Sequence, residues 1–306
     1  MKQHLLVAEF LATPWALQRE RLTAFAGVMG RWASGTPAAM EHDEPGERIS
    51  AFDARRMQAQ ARAGSGSISV LPLTGVIVQR ANMATDICGG TSTQQFSSAL
   101  RDSLADDSVS QILIDIDSPG GSVYGVAELA DEIRGASKPV IGIANSLAAS
   151  AAYWLGSACS ELYVTPGGEV GSIGVWQAHE DWSKAMEQEG VDVTLISAGK
   201  YKTEGNPYQP LDADAQEFMQ TRVDDYYAAF TQAVAKGRKI GISQVRDGMG
   251  QGRVLGADAA LAQGMVDGVM TFDAVVSRMR KSAKANQQPT SRARLAAALR
   301  DIEIAG

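Results

Sequence analysis

Histidine and cysteine are nearly absent from this sequence, which leaves little room for metal chemistry. Only His4, His42 and His179 occur, with no H-x-x-x-H pair, and the two cysteines, Cys88 and Cys159, lie far apart. Neither set has metal-ligand spacing, so no metal is expected, and the thiols read as small, buried or half-buried side chains. An excess of basic charge is also missing: 28 Lys and Arg stand against 35 Asp and Glu, a net charge of -7. A nucleic-acid partner requires the opposite sign. No apolar run reaches the roughly 18 residues that suit a membrane-spanning helix. The apolar start Leu5-Leu6-Val7-Ala8 runs straight into Glu9, a poor secretory signal. The expectation is a cytoplasmic protein with no cofactor, no membrane anchor and no nucleic-acid partner.

What is present is the balance of a globular protein, with 45% apolar and 21% charged residues. The length suits one large α/β domain with appendages, or two modest domains. Residues 1–64 read as an N-terminal accessory helical segment and linker. Pro14 can open a helix there, with Trp15, Leu22, Phe25, Met29 and Trp32 recurring at sevens, threes and fours. That stripe needs a covering surface, either the chain's own core or a neighbouring subunit. From 65 to 281 the pattern changes to alternating strands and helices. Strands are expected at 68–73, 76–78, 112–116, 140–144 and 162–164, and helices at 93–105, 123–135 and 150–157. Such alternation implies right-handed crossovers and a largely parallel sheet. Further on come a helix near 181–189, a strand at 191–197, a long helix over 213–236 and a short one over 256–264. Residues 282–306 turn to Lys, Ala, Gln, Pro and Ser and read as a mobile or weakly helical tail.

Chemistry-bearing residues gather after three of the expected strands. The first group is Asp117-Ser118-Pro119-Gly120-Gly121-Ser122. Paired glycines before a helix let the backbone turn tightly and aim N–H groups outward. Such donors stabilise a developing oxyanion by about 3–4 kcal/mol each in proteases. The same glycines also suit a plain strand-to-helix turn. The second group is Asn145-Ser146-Leu147-Ala148-Ala149-Ser150-Ala151-Ala152-Tyr153-Trp154. Small residues around Ser150 let a peptide approach its hydroxyl, which the first turn of a helix places at the positive end of the dipole. An Ala-rich helix packed under the sheet, capped by Ser150, explains the same residues. The third group is Gly199-Lys200-Tyr201-Lys202-Thr203-Glu204-Gly205-Asn206-Pro207-Tyr208. Loop lysines are usually solvated charges, yet a serine nucleophile without a histidine needs a base, and a lysine stripped of water can serve. Lys200 and His179 are rival bases. Ser197-Ala198-Gly199-Lys200 also fits an S-x-x-K pattern, but a glycine interrupts the helical turn and the partner motifs are missing.

Together, Asp117-Ser118-Pro119-Gly120-Gly121, Ala148-Ala149-Ser150 and Gly171-Ser172-Ile173-Gly174-Val175 resemble the S49 peptidase family. That family includes signal peptide peptidase A and the head maturation proteases of tailed phages. Within it, Gly190-Val191-Asp192-Val193-Thr194-Leu195-Ile196, followed by Lys202 and Gly205-Asn206-Pro207-Tyr208, is similar to the phage lambda-type capsid or prohead maturation proteases. The resemblance spans 68–269 and implies a Clp protease/crotonase-like α/β fold, with repeated ββα units around a largely parallel sheet. It also implies a Ser-Lys dyad, with Ser150 as nucleophile and Lys202 as general base. The backbone N–H groups of Gly121 and Ala151 then form the oxyanion hole, supported by Gly120 and Ser172. Ala151-Ala152 replaces the Gly-Gly that commonly follows the serine in signal peptide peptidases, which narrows the space but keeps the Ala151 N–H. The implied function is a serine endopeptidase, a phage prohead protease that processes scaffold, portal or capsid protein. It would act as a homo-oligomer in the host cytoplasm or the assembling prohead. A soluble bacterial signal-peptide-peptidase-like enzyme is the nearest alternative. A crotonase-like acyl-CoA enzyme and a catalytically silent capsid-assembly subunit are alternatives of other classes.

Overall fold

The apolar runs between glycine-rich motifs become strands, and the motifs fall at strand ends. The computed structural model describes residues 13–17, 68–80 and 90–287. In chain order come β1 (Trp15–Leu17), β2 (Ile68–Thr74), β3 (Ile77–Val78), β4 (Thr91–Ser92), α1 (Thr93–Ala105), β5 (Gln111–Ser118), β6 (Gly120–Ser122) and α2 (Val126–Arg134). There follow β7 (Val140–Ala149), α3 (Ala151–Ser157), β8 (Glu161–Val164), β9 (Glu169–Gly171), α4 (Ser183–Gln188), α5 (Ala213–Arg238) and α6 (Ile242–Asp247). The last elements are β10 (Val254–Gly256), α7 (Ala257–Ala262), β11 (Gly268–Val269) and α8 (Phe272–Gln287).

The larger sheet has the order β10-β9-β7-β5-β2, with β8 also on β7 and β11 on β8. Its pairings are parallel except that of β10 with β9. Parallel strands are covered on both faces, so Ile112, Leu113, Ile114 and Ile116 are all buried without polar alternation. One core contains Phe96 of α1, Leu129 of α2, Trp154 of α3 and Phe230 of α5, with Ile112, Ile114 and Ile116 from the sheet. Trp154 stacks on Phe230 with centroids 4.7 Å apart, which locks α3 against α5. A second core joins Val70, Leu113, Ile141 and Ile143 to Val275, Val276 and Met279 of α8. The smaller sheet runs β1-β6-β3-β4, with β1 antiparallel to β6 and the other pairings parallel.

β7 positions the site. Its first half pairs with β8 through 141–144, and its second half pairs with β9 through 147–149. Opposite β5, the partner of Ile116 is Ala144 and that of Ser118 is Ala148, a register shift that bends the strand. A strand expected to stop at 144 therefore continues to Ala149, directly before Ser150.

Other expectations change too. Pro14 opens no helix: Trp15–Leu17 form a strand, because tertiary pairing overrides the local helix signal. Leu22, Phe25, Met29 and Trp32, and the linker after them, lie outside the described residues. The strand expected at 191–197 does not form. Among the described residues that stretch finds no ladder partner, and Val193, Leu195 and Ile196 are exposed, Ile196 at 96%. Alternating apolar residues make a strand only where an edge is available to pair with them. The helix expected from 123 starts at Val126. α8 crosses position 282 and reaches Gln287, and residues 288–306 lie outside the described residues.

Candidate active site

Ser150 stands on the turn between β7 and α3 with φ 56° and ψ -120°, a backbone region that side chains rarely adopt. Two hydrogen bonds hold it there. Its N–H donates to the Gly171 carbonyl at 2.7 Å, and its carbonyl accepts from Trp154 N–H at 2.9 Å. The residue is 1% exposed, and its hydroxyl donates to the Gly174 carbonyl at 3.5 Å. Ala151 opens α3, so its N–H has no acceptor inside the helix and adjoins the serine.

β6 lies against this turn at a distance only glycine permits. Gly120 has φ 98°, and a Cβ there would sit 2.2 Å from the Ala16 carbonyl oxygen and 2.9 Å from Ser150 Cβ. A Cβ on Gly121 would sit 1.9 Å from the Ile77 carbonyl oxygen. Ser118 fixes the turn, its hydroxyl donating to the Gly75 carbonyl at 2.6 Å and accepting from Gly120 N–H at 3.2 Å.

β1 fills the space beside β6. The register pairs Trp15 with Ser122, Ala16 with Gly121 and Leu17 with Gly120. Val123 N–H donates to the Pro14 carbonyl at 3.5 Å. Because bonded pairs alternate in an antiparallel ladder, the next bonded pair is Ala16 with Gly121, which aims the Gly121 N–H at the Ala16 carbonyl. The opposite edge of β1 is also engaged. Trp15 N–H donates to the Trp176 carbonyl at 2.9 Å, and Trp176 N–H donates back to the Trp15 carbonyl at 3.0 Å. The Trp176 indole N–H donates to the Leu17 carbonyl at 3.0 Å. A groove between β6 and Trp176 thus holds extended backbone from both sides, next to Ser150.

The structure brings together Ser150, Gly120, Gly121 and Ala151. Ser172 is close in sequence to the Gly171 and Gly174 carbonyls that bond Ser150; it has φ 54° and donates its N–H to the Arg253 carbonyl at 2.8 Å. Lys202 is not among them. It lies on an exposed run of turns, and among the described residues its amine makes no hydrogen bond or ion pair. The rival bases have other partners: His179 Nε2 bonds the Asn206 carbonyl at 2.9 Å, and Lys200 Nζ donates to the Tyr201 hydroxyl at 2.7 Å. Cys159 is a buried free thiol whose pKa burial pushes up to about 12, which removes it as a nucleophile at neutral pH. Cys88 lies outside the described residues. Among the described residues no cluster of His, Cys, Asp or Glu could hold a metal ion, and no helix is long and apolar enough to cross a membrane. Sequence reasoning missed Trp176 and the β1 strand. The position of Trp176, directly after Gly171-Ser172-Ile173-Gly174-Val175, was the available signal for it.

Residues 132–286, half of the chain, match the family model of peptidase family S49. The chain belongs to peptidase family S49. Its parallel sheet with flanking helices is the Clp protease/crotonase-like fold of that family. This S49 chain is 32% identical over 249 residues to the capsid assembly protease C of Escherichia phage lambda, covering 81% of this chain and 56% of that protein. It is 32% identical over 244 residues to the head-tail preconnector protein GP5 of Enterobacteria phage P21, covering 78% and 48%. A putative signal peptide peptidase SppA of Enterococcus faecium is 27% identical over 194 residues, covering 62% and 56%. The chain spans about half the length of the curated relatives it matches.

Proposed function

We propose that this S49 chain is a serine endopeptidase of the phage prohead type, cutting scaffold, portal or capsid protein. The observation that carries the reading is the groove over Ser150, where backbone on both sides holds an extended chain against a buried hydroxyl. In the proposed reaction Ser150 Oγ attacks the scissile carbonyl while a neutral Lys202 amine takes its proton. The N–H groups of Gly121 and Ala151 hold the oxyanion. Lys202 then protonates the leaving amine, and water hydrolyses the acyl-enzyme by the same route.

An exposed Lys202 gains access to a buried Ser150 when a second copy supplies it. The apolar side chains Val193, Leu195 and Ile196, exposed just before it, give that copy a surface to cover. Burial in the assembly also strips water from the amine, as a lysine base requires. The relatives named for capsid assembly and for head-tail connection support the phage setting.

The test is co-expression of wild type, Ser150→Ala and Lys202→Ala with the neighbouring capsid-gene products, followed by mass measurement. New fragments should form with wild type alone. Mixing the two inactive variants should restore cleavage if the lysine comes from a neighbour. Unchanged masses across the wild-type culture and both single-variant cultures would remove the protease reading.

A further inference from the structure

We infer that Pro14–Leu17 occupies the peptide groove as this chain's own substrate, with Ala16–Leu17 the bond presented to Ser150. The inference rests on the peptidase reading above. Its support is the way the strand is held. A peptide cut at this site has to aim its scissile carbonyl at the oxyanion donors and stay extended through the groove. β1 does both. The Ala16 carbonyl faces Gly121 N–H in the ladder, and Trp15 on the other edge exchanges two hydrogen bonds with Trp176. The Ala16 oxygen and Ser150 Cβ lie 2.2 Å and 2.9 Å from one point beside Gly120, so they are at most 5.1 Å apart. On the leaving side, the Leu17 carbonyl is tied by the Trp176 indole.

Side chains follow the same alternation. Trp15 and Leu17 pack in a satellite cluster with Val76, Trp176 and Ala178. Ala16 points the other way, into the main core, and is fully buried. A small residue is what that side of the groove admits before the cut.

Cleavage forms an ester between Ser150 Oγ and the Ala16 carbonyl carbon and breaks the Ala16–Leu17 C–N bond. The proton lost by Ser150 passes through the base to the Leu17 amine. Water then hydrolyses the ester, restoring the Ser150 hydroxyl and leaving a carboxylate on Ala16. Until a base arrives, the strand shields the nucleophile. Once it has been cut, residues 1–16 can leave and the groove opens to other chains.

The experiment purifies the full chain as wild type, Ser150→Ala and Ala16→Arg, and reads intact mass and N-terminal sequence over time. Each protein is also assayed on denatured casein. The expected result is a new N-terminus at Leu17 in wild type alone. Ser150→Ala should keep its full mass, with the backbone amides of Trp15 and Ala16 protected from hydrogen exchange. Ala16→Arg should lose that protection and stay uncut between 16 and 17. An uncut wild type that nonetheless degrades casein through Ser150 would overturn this inference and leave the peptidase reading standing. No Ser150-dependent cleavage of either would overturn both. A Leu17 N-terminus in Ser150→Ala would assign the cut to another protease and overturn the inference.

Discussion

Ser150 combines a left-handed backbone with a side chain, and that combination costs about 1–3 kcal/mol wherever it is held. Ser150→Gly should therefore be more stable than Ser150→Ala, although both lack the hydroxyl. The expected gap in thermal midpoint, from differential scanning calorimetry, is about 2–4 °C or more. Equal midpoints would mean that the turn is unstrained. Gly121 has the opposite constraint: a methyl group there meets the Ile77 backbone, which cannot swing aside as a flexible side chain can. Gly121→Ala should push β3 and β6 apart and lower peptidase activity by about 100-fold or more, measured as kcat/KM on a peptide. At this scale the sequence was informative, since paired glycines and a serine among alanines announced close approach. Their meaning was legible only because both motifs follow buried strands. The use of Ser118 as the clamp on Gly75 and Gly120 was not legible, because a hydroxyl's partner 43 positions away leaves no trace in local pattern.

Among the elements, long apolar runs translated directly into strands, while three-residue strands escaped notice. β1, β6, β9 and β10 are each too short to show a period, and each exists because a neighbour offers an edge. The stretch at 191–197 shows the converse, with good alternation and no edge to meet it among the described residues. The end of α5 is pinned by Arg238, which donates to both carboxylate oxygens of Asp267 at 2.8 and 2.9 Å and to the Gly264 carbonyl at 3.1 Å. Asp267 also accepts from Leu162 N–H at 2.7 Å, tying the same carboxylate to β8. Burial alone would raise the Asp267 carboxyl, but the Arg238 and Leu162 hydrogen bonds outweigh it and hold it below the usual carboxylate range. A lowered folded-state value means stability that is present above the unfolded value of about 3.9 and is lost as pH falls through the folded one. Asp267→Asn should cost about 1–2 kcal/mol at neutral pH, discounted for the partial exposure of the carboxylate. Urea unfolding at pH 7 and at pH 3 tests this: the gap between wild type and variant should narrow at the lower pH.

On the scale of the whole molecule, the architecture and the approach of Ser150 to the paired glycines could be read from the sequence, whereas the route by which the proposed base Lys202 reaches the serine could not. Lys202 follows a segment whose apolar residues have no cover within the described residues, and the proposed shared site would supply that cover from a second copy. Ile196→Asp should leave the monomer folded by circular dichroism. It should also lower the assembled fraction in light scattering and abolish peptidase activity in parallel. Full activity in a strictly monomeric Ile196→Asp protein would count against a shared site. The groove has a consequence of its own. With β6 on one edge and Trp176 on the other, it admits a bare ribbon of chain and nothing thicker. A helix or a folded hairpin has no way in, so any target must first shed its local structure. In the proposed endopeptidase the pace of cutting would then follow how often a target frays, and a well-folded protein would be spared.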